Sequence, residues 1–205
     1  MLGLYSYEIL NHYSRSVLFF MRKYLHRSIL CEVAMQIKSV FMFVSMLLLN
    51  GCSVKVPHDI TPVKHFELSR YLGEWYEVAR IDNRFEKGLS KVSANYSLRN
   101  DGGVKVVNRG WDSQGKKWKE SIGKAYFVES SDIGALKVSF FGPFYGGYNI
   151  IKLDDDYQYS LVVGPNKDYL WVLSRTPTMP PELLDEYLSF ASANGFDRQR
   201  VLIFQ

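Results

Sequence analysis

From Trp75 to Arg175 the chain is written in short apolar–polar alternations, broken by turn residues about every 8–12 positions. That rhythm belongs to an all-β barrel or sandwich. Val92, Ala94, Tyr96 and Leu98 alternate with Ser93, Asn95, Ser97 and Arg99, the period of two of a half-buried strand. Asn100-Asp101-Gly102-Gly103 follows, built from residues that tolerate the positive φ of a hairpin turn. Continuing in this way predicts strands at 75–81, 92–98, 104–111, 118–128, 135–141, 148–153, 157–163 and 169–175. Gly123, inside the fourth, marks a bulge or bend, and Gly142 to Gly147 reads as a glycine-rich loop. Eight strands are the number that closes around side chains or one small ligand.

Two residues at the extremes of this series suggest how it closes. Trp75 opens the first strand within Leu72-Gly73-Glu74-Trp75-Tyr76, and Arg175 ends the last within Leu173-Ser174-Arg175-Thr176. A buried tryptophan needs a partner for its ring and its N–H, and a guanidinium stacked on the ring would supply one. First and last strands meet only if the sheet closes. After the strands, Pro180 and Pro181 open a helix, where the missing N–H costs nothing. Leu183, Leu184, Tyr187, Leu188 and Ala191 give that helix one apolar face, Gly195 stops it, and 201–204 reads as a last short strand.

Charge and residue types remove several function classes. Residues 1–51 hold five Lys and Arg against two Asp and Glu, which leaves 20 against 19 for the rest. That balance is no footprint for nucleic acid, which asks for a clustered basic face. The two cysteines, Cys31 and Cys52, and the four histidines all precede the strands. Thiol or hydroxyl nucleophiles paired with histidine, and the usual zinc sites, are therefore not expected, nor is any catalytic residue, metal or cofactor. Glu74 and Glu77, three apart on one strand, point to opposite faces. Asp154-Asp155-Asp156 lacks the spacing of a calcium loop and reads as a solvated turn.

These residues carry a resemblance. Gly73-Glu74-Trp75 resembles the first lipocalin motif, Asp168-Tyr169 most of the second (with Lys167 where threonine is usual), and Arg175 the third. Gly123-Lys124-Ala125-Tyr126-Phe127, Phe140-Phe141-Gly142-Pro143-Phe144-Tyr145-Gly146-Gly147 and Asp168-Tyr169-Leu170-Trp171 add a likeness to the bacterial outer-membrane lipocalins, which are lipoproteins. The resemblance spans roughly residues 66–204. It implies an eight-stranded antiparallel up-and-down β-barrel with one C-terminal α-helix packed outside. It also makes Gly73, Trp75, Asp168, Tyr169 and Arg175 a barrel-closing structural set, and it leaves a homodimer open.

The leader fits the same picture. Val40 to Leu49 is an apolar run of ten, half of what a membrane-spanning helix needs and suited to a signal-peptide core. Leu49-Asn50-Gly51-Cys52 then resembles a bacterial lipoprotein signal, in which the cysteine is acylated and becomes the N-terminus. The expected organisation is an upstream extension over 1–34, with translation starting at Met35 (the alternative being a weakly amphipathic appendage). A signal peptide over 35–51, a tether over 52–65 and a barrel domain over 66–205 follow. Cys52 is the expected lipidation site, and Ser53 after it points to the outer membrane, facing the periplasm.

The aromatic surplus of the strands suggests an apolar cavity, with Trp111, Tyr126 and Phe140 as candidate wall residues. The resemblance implies a fatty acid or lysophospholipid as ligand, held for transport or storage, with the membrane as partner through the lipid anchor. The alternative is a lipocalin-fold enzyme, or a carrier of ring-bearing apolar ligands.

Overall fold

The structure is a computed structural model and describes Val54 and residues 56–205. The expectations for 1–34, 35–51 and Cys52 lie outside the described residues. A single turn of helix, α1 (Leu68–Tyr71), precedes eight strands: β1 (Gly73–Ile81), β2 (Leu89–Leu98), β3 (Val104–Asp112), β4 (Lys117–Phe127), β5 (Ala135–Phe141), β6 (Phe144–Leu153), β7 (Tyr159–Val163) and β8 (Leu170–Ser174). A helix, α2 (Pro181–Ala193), and a short strand, β9 (Val201–Ile203), follow.

Each strand pairs antiparallel with its successor, and β1 pairs with both β2 and β8, so the sheet is a closed eight-stranded barrel. Closure is not uniform along β1. Gly73 to Tyr76 pair with β2, but from Ala79 onward that edge pairs with β9 instead. A register shift between Glu77 and Ala79 accompanies the change of partner.

Because the strands alternate in direction, turns 99–103, 128–134 and 154–158 share the end where β1 begins and Arg175 follows β8. Turns 82–88, 113–116, 142–143 and 164–169 share the other end. The first end is the floor and the second the mouth.

Two apolar clusters flank the barrel wall. Outside, α2 lays Leu184, Tyr187, Leu188 and Ala191 on Val78, Ile81, Leu161 and Val172. Each large side chain so buried contributes about 1.5–3 kcal/mol. Strand β7 is covered on both sides, which is why Leu161, Val162 and Val163 are all buried despite the alternation in its sequence. Inside, Phe66, Tyr71, Trp75, Leu136, Ile150 and Tyr157 fill the floor half.

Three expectations change. The glycine-rich loop shrinks to Gly142-Pro143, and Phe144 to Gly147 belong to β6, where Gly146 and Gly147 pair with Val138 and Lys137. Glycine there still offers the N–H and C=O of a ladder residue. Residues 56–65, read as a tether, lie on the barrel because two apolar residues dock them. Ile60 is buried in the outer cluster, and Val63 exchanges backbone hydrogen bonds with Ile150 and Gly134. Gly123 sits in an unbroken strand; a Cβ there would come within 2.8 Å of the Ser139 carbonyl oxygen, so close backbone approach is its reason.

Candidate functional site

The floor is built around Trp75. Its indole N–H donates to the Tyr71 carbonyl at 2.8 Å, and the Arg175 guanidinium lies 4.0 Å from the ring centroid. The same guanidinium donates to the carbonyls of Glu74 (2.8 Å), Arg70 (2.7 Å) and Tyr157 (3.2 Å). It thereby ties the start of β1, the end of α1 and the β6–β7 turn to the end of β8. These carbonyls are the orphan groups that element ends leave behind. Gly73 adopts φ +94°, a conformation L side chains rarely take, where the chain turns from α1 into β1 beside Arg175.

The structure brings Gly73, Trp75 and Arg175 together but not Asp168 and Tyr169. Those two lie in the β7–β8 turn, at the mouth end. Asp168 pairs with Arg200, and Tyr169 packs between Phe85 and Trp171. The turn that meets Arg175 is 154–158. There Tyr157 supplies a carbonyl to Arg175 and its ring to Arg70 (4.2 Å), while Asp155 accepts from Arg70. Strand parity decides this, since two adjacent hairpin turns of an up-and-down barrel fall at opposite ends.

Above the floor a cavity of about 110 Å³ extends toward the mouth. One water needs roughly 10–15 Å³, so the space is several waters in size. Its walls are largely apolar: Val92, Val104, Val106, Leu136, Val138 and Phe140. Of the candidate wall residues only Phe140 lines it. Trp111 faces outward and meets its cross-strand neighbour Trp118 edge-on, with ring centroids 5.6 Å apart. Tyr126 also faces outward, donating its hydroxyl to Asp101 at 3.0 Å. The signal was present in each strand. Lys105 and Arg109 share the face of Trp111, and Lys124 shares that of Tyr126.

Two polar groupings of the cavity were not foreseen. Low in the cavity the hydroxyls of Tyr71, Tyr96 and Tyr148 meet: Tyr148 lies 2.9 Å from both others, and Tyr71 is 3.1 Å from Ser160. Burial pushes the Tyr71 phenol up to about 12 and raises Tyr96 and Tyr148 further, so all three stay neutral donors and acceptors. Only the three-dimensional register unites side chains from α1, β2 and β6.

The second grouping lies where β1 parts from β2. Arg80, fully buried, bonds Glu77 at 2.6 Å and donates to the carbonyls of Glu86 and Leu89, bridging the seam that the ladder leaves. Glu86 accepts from the indole of Trp171 (2.8 Å) and from Asn83 (2.6 Å). Burial first, then the Glu86 carboxylate, push the Glu77 carboxyl up to about 8 against the pull of Arg80. Glu77, Glu86 and Asn108 all line the cavity, and among the described residues no Lys or Arg does. Among the described residues no group of three or more His, Cys, Asp and Glu could hold a metal ion. The arrangement sets an apolar space beside a few hydrogen-bonding groups, and among the described cavity residues no histidine or cysteine stands beside a base.

Comparison with known proteins agrees with this geometry. A family model described as a lipocalin-like domain matches residues 66–205. Outer membrane lipoprotein Blc of Vibrio cholerae is 51% identical over 169 residues, covering 82% of this chain and 98% of that protein. Its namesake from Escherichia coli is 52% identical over 77% of this chain and 90% of that protein. Among solved structures, insecticyanin from the tobacco hornworm Manduca sexta superposes with a TM-score of 0.59 at 20% identity, over 74% of this chain and 86% of that one. The chain belongs to the lipocalin family.

Proposed function

We propose that this protein is a lipid-anchored lipocalin of the bacterial outer membrane that holds one acyl chain, as a fatty acid or a lysophospholipid, for storage or transport of membrane lipids. The observation that carries the reading is the cavity: largely apolar, and running from Phe66, Leu68 and Tyr71 at the floor to Glu86 and Trp171 toward the mouth. Each methylene it buries contributes about 0.8 kcal/mol. The floor admits ligand from one side only, and the narrow volume favours one chain over two. The outer-membrane assignment draws on the names of the Blc relatives. The anchor draws on Cys52 behind its apolar run, and the binding role draws on a site with no paired nucleophile and base.

Two experiments test this. In the first, a fluorescent fatty acid bound to the protein is competed with lysophospholipid, diacyl phospholipid and retinol. Displacement by lysophospholipid well before diacyl phospholipid supports the reading, and displacement by retinol alone replaces it with a carrier of ring-bearing ligands. In the second, Cys52→Ser is expressed in a Gram-negative host, where it should accumulate as an unprocessed precursor that takes up no palmitate. Normal labelling of that variant would remove the anchor.

A further inference from the structure

The four turns at the mouth differ in kind from the three at the floor. Phe85 in the β1–β2 turn and Phe141 and Phe144 beside the β5–β6 turn are 59%, 74% and 63% exposed. Together they put bare aromatic rings on separate turns around one opening. Between them lie Arg84, Lys87, Lys116 and Lys117, all exposed and none in a salt bridge among the described residues. The acids in and beside these four turns are already engaged: Asp82 with Arg80, Asp112 with Lys119, Asp168 with Arg200, and Glu86 inside the cavity. The floor turns carry the opposite sign, with Asp101, Glu129, Asp132, Asp154, Asp155 and Asp156 against Arg99 alone.

The chain also arrives at the mouth. Asp59 is ion-paired with Lys167 in the β7–β8 turn, and from there residues 60–66 run down the outside to the floor. Cys52 lies seven residues before Asp59, a contour of no more than about 25 Å.

We propose that the mouth rim is a membrane-docking face: Phe85, Phe141 and Phe144 enter the interface of an anionic phospholipid bilayer while Arg84, Lys87, Lys116 and Lys117 meet its headgroups. Aromatic rings favour that interface, and lysines near an anionic surface are drawn to it. A lipid on this face passes between bilayer and cavity without its chain crossing water. The direction of the tether rests on the anchoring of Cys52 proposed above; the aromatic and basic rim does not.

The test uses residues 53–205, so that neither an acyl group on Cys52 nor the apolar run over 40–49 holds the protein to lipid. It should float with phosphatidylethanolamine–phosphatidylglycerol vesicles, more at low salt than at high, and far less with phosphatidylcholine vesicles. Adding Phe141→Ser and Phe144→Ser should weaken vesicle binding about tenfold. Adding Lys116→Glu and Lys117→Glu should weaken it severalfold on the anionic vesicles only. Leu98→Ser, equally exposed but at the floor end, should change nothing. An unchanged affinity in either double substitution, or an equal loss in Leu98→Ser, overturns the docking face. Fluorescent fatty-acid binding in vesicle-free solution is read in parallel and should be the same in all variants. Its absence from the parent chain is a failure of the acyl-chain reading, with flotation still deciding the docking face.

Discussion

At its floor the barrel buries polar atoms and partners them. Arg175 satisfies three carbonyls and covers Trp75, the indole reaches Tyr71, and three tyrosine hydroxyls bond one another. At its mouth the same strands part: β1 leaves β2, Arg80 spans the seam with its side chain, and aromatic rings stand exposed on the turns. The difference teaches that closure and access are built from separate residues. Floor substitutions should cost stability and leave acyl-probe affinity unchanged, and rim substitutions should leave stability unchanged and weaken vesicle binding.

The largest effect should come from Trp75→Ala, which removes the biggest fully buried side chain and leaves a cavity under the ligand. A loss of about 3–5 kcal/mol is expected in urea unfolding. Arg175→Ala, which frees three carbonyls and one ring face, should lose about 1–3 kcal/mol. A melting temperature equal to the parent's would mean the floor is held by apolar packing alone. Gly73→Ala forces a side chain into φ +94° and should cost about 1–2 kcal/mol, again with acyl-probe affinity preserved.

Glu77 sharpens the comparison because it belongs to the seam. Its carboxyl ordinarily titrates at 4.5 and is pushed up to about 8 by burial and Glu86. The folded state then holds a proton that the unfolded state has released, so this group's contribution falls as pH rises from about 4.5 through about 8. Glu77→Gln should flatten that decline in melting temperature between pH 5 and pH 8, and an unchanged slope would place the effect elsewhere. The smallest effect belongs to the rim. Phe141→Ser and Phe144→Ser should each leave stability within about 0.5 kcal/mol of the parent, since both rings are mostly in water.

How much of this could be read from the chain differs by region for a physical reason. Strand number and the Trp75–Arg175 contact were legible, because alternation and turn chemistry are local and the end residues of a closed sheet must be neighbours. The end occupied by Asp168 and Tyr169 is legible too, because counting strand directions puts the β7–β8 turn opposite Trp75. Trp111 and Tyr126 share the aromaticity of a cavity wall, but charged neighbours on their own faces turn them to solvent. The tyrosine cluster and the Glu77–Arg80–Glu86 seam had no local signal. They arise from the register of β1, β2 and β6 and from the exchange of β2 for β9 along β1. No period in the sequence encodes a change of partner.

The proposed acyl chain in a cavity closed at the floor fixes a stoichiometry of one. Native mass spectrometry of the folded chain, titrated with lysophospholipid and with diacyl phospholipid of the same acyl length, tests it most directly. A single adduct with lysophospholipid that saturates at one per protein, with none or little for the diacyl lipid at equal concentration, is the predicted result. Two or more chains per protein, or equal uptake of the diacyl lipid, would contradict it.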